Sequence, residues 1–331
     1  MNERILITGG AGFIGLHLAN HLLDSDYSLV LVDDYSRGVS DHDLNKTLKN
    51  ERVTIINCDL RHRESVLKIG DDFSVIFHLA AIVGVSNVSR DPIRVLTDNV
   101  EIMTNVIRLG EIQKNLRRLL FSSTSEVYAG TLEKVGIEIP TPESTFLALP
   151  DLKRPRTSYM LSKIYGEAMC HHAGLPFTVF RPHNVYGPRM GMSHVIPQQL
   201  KKAHFSVDGQ QIDIYSPEHT RCFCYIDDAV KMMKKMMENE MSNGKTLNLG
   251  VENPELSIKE VVNECHKIVG RNLIPNYRET TAGSPVRRAP DMSETERIIG
   301  NSEHIGINEG IVRTYAWYRE NVFDTNNISA M

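Results

Sequence analysis

Nowhere in the 331 residues is there a stretch approaching the roughly 18 apolar residues that a bilayer-crossing helix needs. The opening, MNERILITGG, carries no apolar leader and runs directly into a strand, which predicts a cytoplasmic protein without membrane association. A basic surplus is also missing: 37 Lys and Arg stand against 41 Asp and Glu, scattered along the chain, so nothing marks a nucleic-acid footprint. Cysteines are few and odd in number (Cys58, Cys170, Cys222, Cys224 and Cys265) and lack CxxC spacing, which argues against a disulfide framework and a zinc site. In RCFCY, Cys222 and Cys224 fall on one face of a strand and read as packing, so no metal is expected there. His171 and His172 read as helix surface, and His194 as a residue of the substrate-side loop that could touch a ligand. No internal repeat, low-complexity tract or long linker interrupts the chain.

What is present is a recurring alternation. Short aliphatic runs (ILIT, SLVLVDD, VTIINCD, SVIFHLAA, RRLLFSST and FTVFRPHNV) are separated by helix-length segments, and several are apolar on both faces. That pattern predicts an α/β fold: a doubly wound, parallel Rossmann sheet over residues 1–180. Past about residue 185 the texture changes to Pro- and Gly-punctuated segments and isolated strands. LSIKEVVNECHKIVG opens with a capping box from Ser257 to Glu260. Residues 181–331 are expected to form mainly a smaller substrate lobe, with some segments returning to the sheet.

The first strand runs straight into TGGAGFIG, with glycines at 9, 10, 12 and 15. In a doubly wound sheet a dinucleotide sits at this turn, where missing Cβ atoms let a pyrophosphate approach the backbone and the positive end of the following helix. Glycines alone also serve tight packing. Two acids strengthen the cofactor reading: Asp33 ends the second strand, where a carboxylate accepts from ribose hydroxyls and repels the extra phosphate of NADP, and Asp59 ends the third. NAD is favoured on this ground, with Arg37 close by as a contrary charge; Asp59 serves either the adenine amino group or the cap of the next helix.

The fifth strand ends in LLFSSTSEVYAG, and RPRTSYMLSKIYGEAM follows as a helix with Tyr159 and Lys163 one turn apart on one face. A phenol with a pKa near 10 needs a neighbouring cation to act as a base at neutral pH, and Lys163 is placed to supply it.

Taken in order, TGGAGFIG, Asp33, Asp59, FHLAA, DNV, SSTSEVY, SYMLSK, RPHNVYGPR, TRCFCYIDD and RRAPD resemble the extended short-chain dehydrogenase/reductases of the NAD-dependent sugar epimerase/dehydratase family, over nearly the whole chain. The resemblance implies NAD contacts from Gly9, Gly12, Phe13, Ile14, Gly15, Asp33, Asp59, Leu60, Leu79, Ala80, Ala81, Asn99, Tyr159 and Lys163. It implies a nucleotide-diphosphate sugar, commonly a UDP-sugar, oxidised transiently at C4. Tyr159 would be the base, Lys163 its partner, and Thr124 a hydrogen-bond partner of the same sugar oxygen. Asn184, Arg221 and Arg288 match residues on the diphosphate side of the substrate. A homodimer through the helices containing residues 99–107 and 159–169 is also implied, although Val100, Met103, Val106 and Ile107 would equally suit an internal core. A non-catalytic NAD sensor on the same fold would be expected to lose the tyrosine or lysine, and both are present.

The residues after Thr124 select among reactions. The family's 4,6-dehydratases usually carry Thr-Asp-Glu here; this chain has Thr124-Ser125-Glu126, resembling the UDP-glucuronate decarboxylase branch. Arg156, three before Tyr159, also matches that branch and is suited to a substrate carboxylate. Decarboxylation of a UDP-glucuronate-type substrate is therefore expected, with Ser125 and Glu126 managing carboxylate and enol. A 4-epimerase and a nonstandard dehydratase remain as alternatives.

Overall fold

The structure, a computed structural model, describes residues 3–279 and 285–325. The six aliphatic runs form strands β1 (Arg4–Thr8), β2 (Ser28–Asp33), β3 (Val53–Asn57), β4 (Val75–His78), β5 (Arg118–Ser122) and β6 (Phe177–Pro182). A seventh strand, Lys245–Leu249, returns from the C-terminal half and lies parallel to β6. Across the sheet the order is Lys245–Leu249, β6, β5, β4, β1, β2, β3, with every pairing parallel. The order reverses between β1 and β4, and in such sheets ligands bind beyond the carboxyl ends of the strands at that crevice.

Burial explains the aliphatic runs. Ile5, Ile7, Leu29 and Leu31 face one layer, together with Leu16, Ala19 and Leu22 of the helix Phe13–Leu22. Leu6, Val30, Val32 and Ile76 face the other, with Ile102, Met103, Val106 and Ile107 of the helix Pro92–Glu111. Each strand is thus apolar on both sides, and every such side chain withdrawn from water stabilises the fold by about 1.5–3 kcal/mol. The helix Ile226–Glu238 seals the outer side of Phe13–Leu22 with buried Met232, Met233, Met236 and Met237.

The C-terminal half adds three small sheets. Thr220–Cys222 pairs antiparallel with Glu255–Ser257 and parallel with Arg287–Arg288, Gln211–Tyr215 pairs with Ile274–Arg278, and Val185–Tyr186 pairs with Cys224–Tyr225. Cys222 and Cys224 therefore sit in two separate ladders, not on one strand face, because the chain changes ladder at Phe223; both are buried. The helix Ile258–Val269 begins with the complete Ser257/Glu260 capping box. Among the described residues no helix is long and apolar enough to cross a membrane.

Candidate active site

At the end of β1 the backbone turns through Gly9, whose φ of +72° is a left-handed value that favours glycine. A Cβ there would stand 3.0 Å from Ala80 N, and one on Gly15 only 2.1 Å from Gly9 O. The turn delivers Gly12 as the N-cap of Phe13–Leu22 with no side chain capping it, so the first amides of the helix face the crevice unshielded. Such a cradle fits the diphosphate of a dinucleotide. Asp33 holds the turn from the side: its carboxylate accepts from Ala11 N at 3.0 Å and Tyr35 N at 2.9 Å, while burial pushes its pKa up.

Of the two roles open to Asp59, the helix cap is not the one it takes. The helix Arg63–Leu67 starts at His62 without a side-chain cap, and the Asp59 carboxylate instead receives Arg61 N, Nε and Nη2, the last at 2.6 Å. Arg61 reaches on to Asp98 at 2.9 Å, a bridge that no local sequence signal marks. Leu60 is core. The loop Leu79–Ala81 is fastened at both ends: Thr8 Oγ1 accepts from Leu79 N and Ala80 N and meets His78 Nδ1 at 2.8 Å, and Asn99 exchanges two hydrogen bonds with Ile82. Burial drives the His78 pKa down to about 3, so this ring is neutral. Asn99 also donates to Ser162 Oγ at 3.2 Å, tying that loop to the helix Arg156–His172.

That helix presents Tyr159 and Lys163 beneath the end of β5. Lys163 is 4% exposed, donates from Nζ to Ser122 O at 2.8 Å, and lies 4.9 Å from the Phe121 ring centre. Burial lowers its pKa to about 8, against the pull of Glu167 one turn on. Glu167 is itself held by the buried Arg181 at 2.7 Å and by Ser123. Burial and the negative charge of Glu126 push the Tyr159 pKa up; a hydrogen bond from the Thr124 side chain and the charge of Arg37 pull it down. The expected cation, Lys163, lies 5.9 Å from the Tyr159 ring centre, while the arginine after β2 acts on the phenol. Burial, aided by the charge of Arg37, lowers the pKa of His194, and Arg37 Nη2 lies 3.8 Å from where a Cβ on Gly191 would stand, so Arg37, Gly191, His194 and Tyr159 share one side of the crevice.

Opposite them stands a charge cluster. Thr124 caps the short helix Ser125–Tyr128 through Glu126 N, which turns the Glu126 carboxylate toward two guanidinium groups. Arg156 Nη2 reaches both carboxylate oxygens at 3.0 and 3.1 Å, and Arg288 reaches Oε1 at 3.2 Å and Ser125 Oγ at 3.4 Å. Burial alone would raise the Glu126 pKa, but Arg288 and Arg156 together hold it below the ordinary carboxylate range. Arg221 sits opposite Arg288 across the ladder and donates to the carbonyls of Thr220, Pro285 and Val286; burial, aided by the Arg288 charge, lowers its pKa to about 10. Arg156, Arg221 and Arg288 gather here around Glu126, with Glu255 also acting on Arg221, an arginine-rich surround suited to an anionic ligand. Asn184, with φ +41°, donates to Cys222 O at 3.2 Å at the edge of this cluster. Of the residues read from the sequence, Thr124, Ser125, Glu126, Arg156, Tyr159, Arg221 and Arg288 thus converge, whereas Asp59, Leu60 and Asn99 shape the surrounding walls.

A glycine-turn Rossmann crevice with a Tyr-Lys helix at its floor defines a dinucleotide-dependent enzyme. The chain belongs to the NAD dependent epimerase/dehydratase family, whose model matches residues 5–250, and its cofactor is NAD. It is 31% identical over 335 residues to the UDP-N-acetyl-alpha-D-glucosaminuronate decarboxylase of Bacillus cytotoxicus, covering 97% of this chain and 99% of that one. UDP-glucuronic acid decarboxylase 1 of Xenopus tropicalis is 29% identical, covering 96% of this chain and 72% of that one. Among solved structures, the UDP-glucuronic acid 4-epimerase of Bacillus cereus, in complex with UDP-glucuronic acid and NAD, superposes with a TM-score of 0.81 at 25% identity, over 96% of this chain and 99% of that one.

Proposed function

We propose that the protein decarboxylates a UDP-linked uronic acid. The observation that carries this reading is Glu126 held between Arg156 and Arg288 beside Tyr159 and Thr124. A neutral hexose gives such a cluster nothing to bind. A uronate brings a carboxylate, and Arg156 spends only Nη2 on Glu126, leaving donors for it. Glucuronate and N-acetylglucosaminuronate are the two candidates, from the relatives' chemistry.

The glycine turn, Asp33, the Leu79–Ala81 loop and Lys163 would hold NAD, which when bound supplies the acceptor that takes hydride from C4 and returns it. Tyr159 Oη removes the C4 hydroxyl proton, and the Thr124 hydroxyl donates to the same oxygen. With a ketone at C4 the C6 carboxylate lies β to a carbonyl. The C5–C6 bond breaks, carbon dioxide leaves, and its electron pair becomes an enolate whose oxygen Tyr159 and Thr124 stabilise. C5 then takes a proton from water. Arg156 and Arg288 orient the carboxylate, Arg288 being assigned here and not to the expected diphosphate side because its guanidinium is bonded to Ser125 and Glu126; Ser125 bonds the carboxylate, and the charge of Glu126 beside it favours its departure. Arg221 and Asn184 bind the diphosphate side, and residues 181–331 form mainly the sugar-nucleotide lobe beside the 1–180 cofactor lobe.

A second reading, 4-epimerisation of the same uronate, is favoured by the likeness to the Bacillus cereus epimerase. Incubating the protein and NAD with UDP-glucuronate, UDP-N-acetylglucosaminuronate, UDP-glucose and UDP-N-acetylglucosamine, and following product masses, separates the two. Loss of carbon dioxide from a uronate is expected. A same-mass isomer would transfer the assignment to the epimerase, and turnover of neutral sugars alone would overturn both.

Two copies are proposed to pair across the helices Pro92–Glu111 and Arg156–His172, which pack against each other and leave Ile93 66% and Tyr165 54% exposed. Met103, Val106 and Ile107 are buried in the chain's own core and take no part. Light scattering is expected to give twice the chain mass, and Tyr165→Glu to halve it; a monomeric parent would refute the pairing.

A further inference from the structure

Arg189 closes the RPHNVYGPR stretch, and the resemblance carried by that stretch assigns it no role. Its backbone φ is +65°, uncommon for a residue with a side chain, and the side chain is 4% exposed. The guanidinium donates from Nε to Asp41 Oδ2 at 2.7 Å, from Nη1 to Gly12 O at 3.2 Å, and from Nη2 to Ala11 O and Val39 O, each at 3.3 Å. One side chain following β6 therefore grips the glycine turn and the segment after β2 together.

Those two pieces are already joined on the other side by Asp33, which accepts from Ala11 N and Tyr35 N. The segment folds back so tightly that a Cβ on Gly38 would stand 2.6 Å from Asp33 Oδ1 and 2.8 Å from Ala11 Cβ. Asp41 is not free to swing, because its Oδ1 accepts from Leu44 N at 2.9 Å and caps the helix His42–Thr47. Asp33, residues 34–41, Arg189 and the glycine turn thus make a closed ring of hydrogen bonds. The peptide carbonyls that Arg189 holds belong to the units carrying the Gly12 and Phe13 N–H groups, and in a trans peptide N–H points opposite to C=O. Fixing those carbonyls fixes the direction of the amides at the mouth of the helix.

We infer that Arg189 is a positioning residue for the cofactor, coupling the lobe that follows β6 to the cradle of the dinucleotide. The ring borders the end of β2, where the adenosine half of NAD belongs in this fold, so loosening Arg189 from the glycine turn or from residues 34–41 is expected to speed the release of NAD. The inference rests on the cofactor and not on the sugar chemistry.

NAD release is measured by loading the full chain with NAD, diluting it into alcohol dehydrogenase and ethanol, and following the absorbance of NADH formed from freed NAD. Arg189→Met is expected to release NAD at least about tenfold faster than the parent, the equivalent of one decade of affinity. Arg189→Lys, which keeps the charge and loses the planar fork, and Asp41→Asn, which loses one anchor, are expected to fall between them. Arg118→Met is the structural control. That arginine is fully buried at the start of β5, away from the crevice, and donates to Thr178 Oγ1 and the carbonyls of Met236 and Asn239. It should lower the melting temperature without changing NAD release. Wild-type release rates in Arg189→Met and Arg189→Lys, with melting temperatures lowered as in Arg118→Met, would reduce Arg189 to a structural role and overturn the inference. If Arg189→Met does not fold, Arg189→Lys and Asp41→Asn decide by the same reading. A parent protein that binds no NAD would refute the cofactor assignment itself, an outcome visible before any variant is made.

Discussion

Tyr159→Phe is expected to lower turnover of the uronate by about 10²–10⁴-fold, the range in which a positioned general base acts, while NAD remains bound and KM changes little. Tyr159 is the hydroxyl on which Thr124 and Arg37 act, and three titratable groups around it are engaged elsewhere. His78 is neutral, buried and engaged with Thr8, Lys163 is committed to Ser122 O, and Glu126 is shared between two arginines. The ring of Phe fills the same space, so packing against the helix is kept and the loss reports the hydroxyl. The pH dependence follows from the environment. Burial and Glu126 hold the phenol protonated well into the alkaline range, while Thr124 and Arg37 work against them. Activity limited by phenolate therefore rises with pH. The rise should disappear in Tyr159→Phe, which steady-state rates across pH would show; a variant within tenfold of the parent would remove Tyr159 from the chemistry.

Glu126→Gln is expected to reduce carbon dioxide release by about 10²–10³-fold, the scale of losing one preorganised electrostatic group. The substitution keeps shape and hydrogen-bonding capacity and removes one charge, leaving Arg156, Arg221 and Arg288 without their shared counter-ion. Two further effects have definite signs. Because the Glu126 charge raises the Tyr159 pKa, its removal lowers that pKa and moves the phenolate-limited rise in rate to lower pH. Because the two arginines hold the Glu126 pKa below its unfolded value, the carboxylate contributes stability above the ordinary carboxylate range, and loses it as pH falls through the folded-state value. In Glu126→Gln that acid-dependent part of the melting temperature should be absent. Mass analysis of the product and a pH series of rates and melting temperatures test all three. Unchanged decarboxylation would sink the role given to Glu126, and a variant that releases a 4-epimer in place of the pentose would show that the cluster chooses the fate of the ketone.

Beneath these residues lies the buried Glu167–Arg181 pair with Ser123 and Tyr128. Burying such a pair contributes little net stability on average, whereas removing one partner leaves an uncompensated charge. Its position one turn past Lys163 gives it a second consequence: Glu167 is the principal influence holding the Lys163 pKa up against burial. The floor of the site and the protonation of its lysine are thus set by the same ion pair.

The parts legible in the sequence were those written at short range. Six of the seven sheet strands announce themselves as aliphatic runs because a strand between two helix layers must be apolar on both faces. The glycine turn shows in its spacing because side chains would collide there with Ala80 or with the turn itself. Tyr159 and Lys163 fall on one helix face by the geometry of a single turn, and Ser257 and Glu260 cap a helix by contacts within four residues. The seventh strand, Lys245–Leu249, escaped because KTLNL is short, half polar, and far along the chain from the β6 it pairs with. Only the tertiary structure decided that Arg288 meets Glu126 across 162 positions, that Arg61 reaches Asp98 across 37, and that Arg189 clasps a turn 177 positions before it. The physical reason is one of range: hydrophobic period, dihedral preference and capping act over a few residues and leave a local mark. An ion pair depends on the distance between side chains that the fold alone brings together, and an arginine looks the same in sequence whether it ends in water or in the wall of an active site.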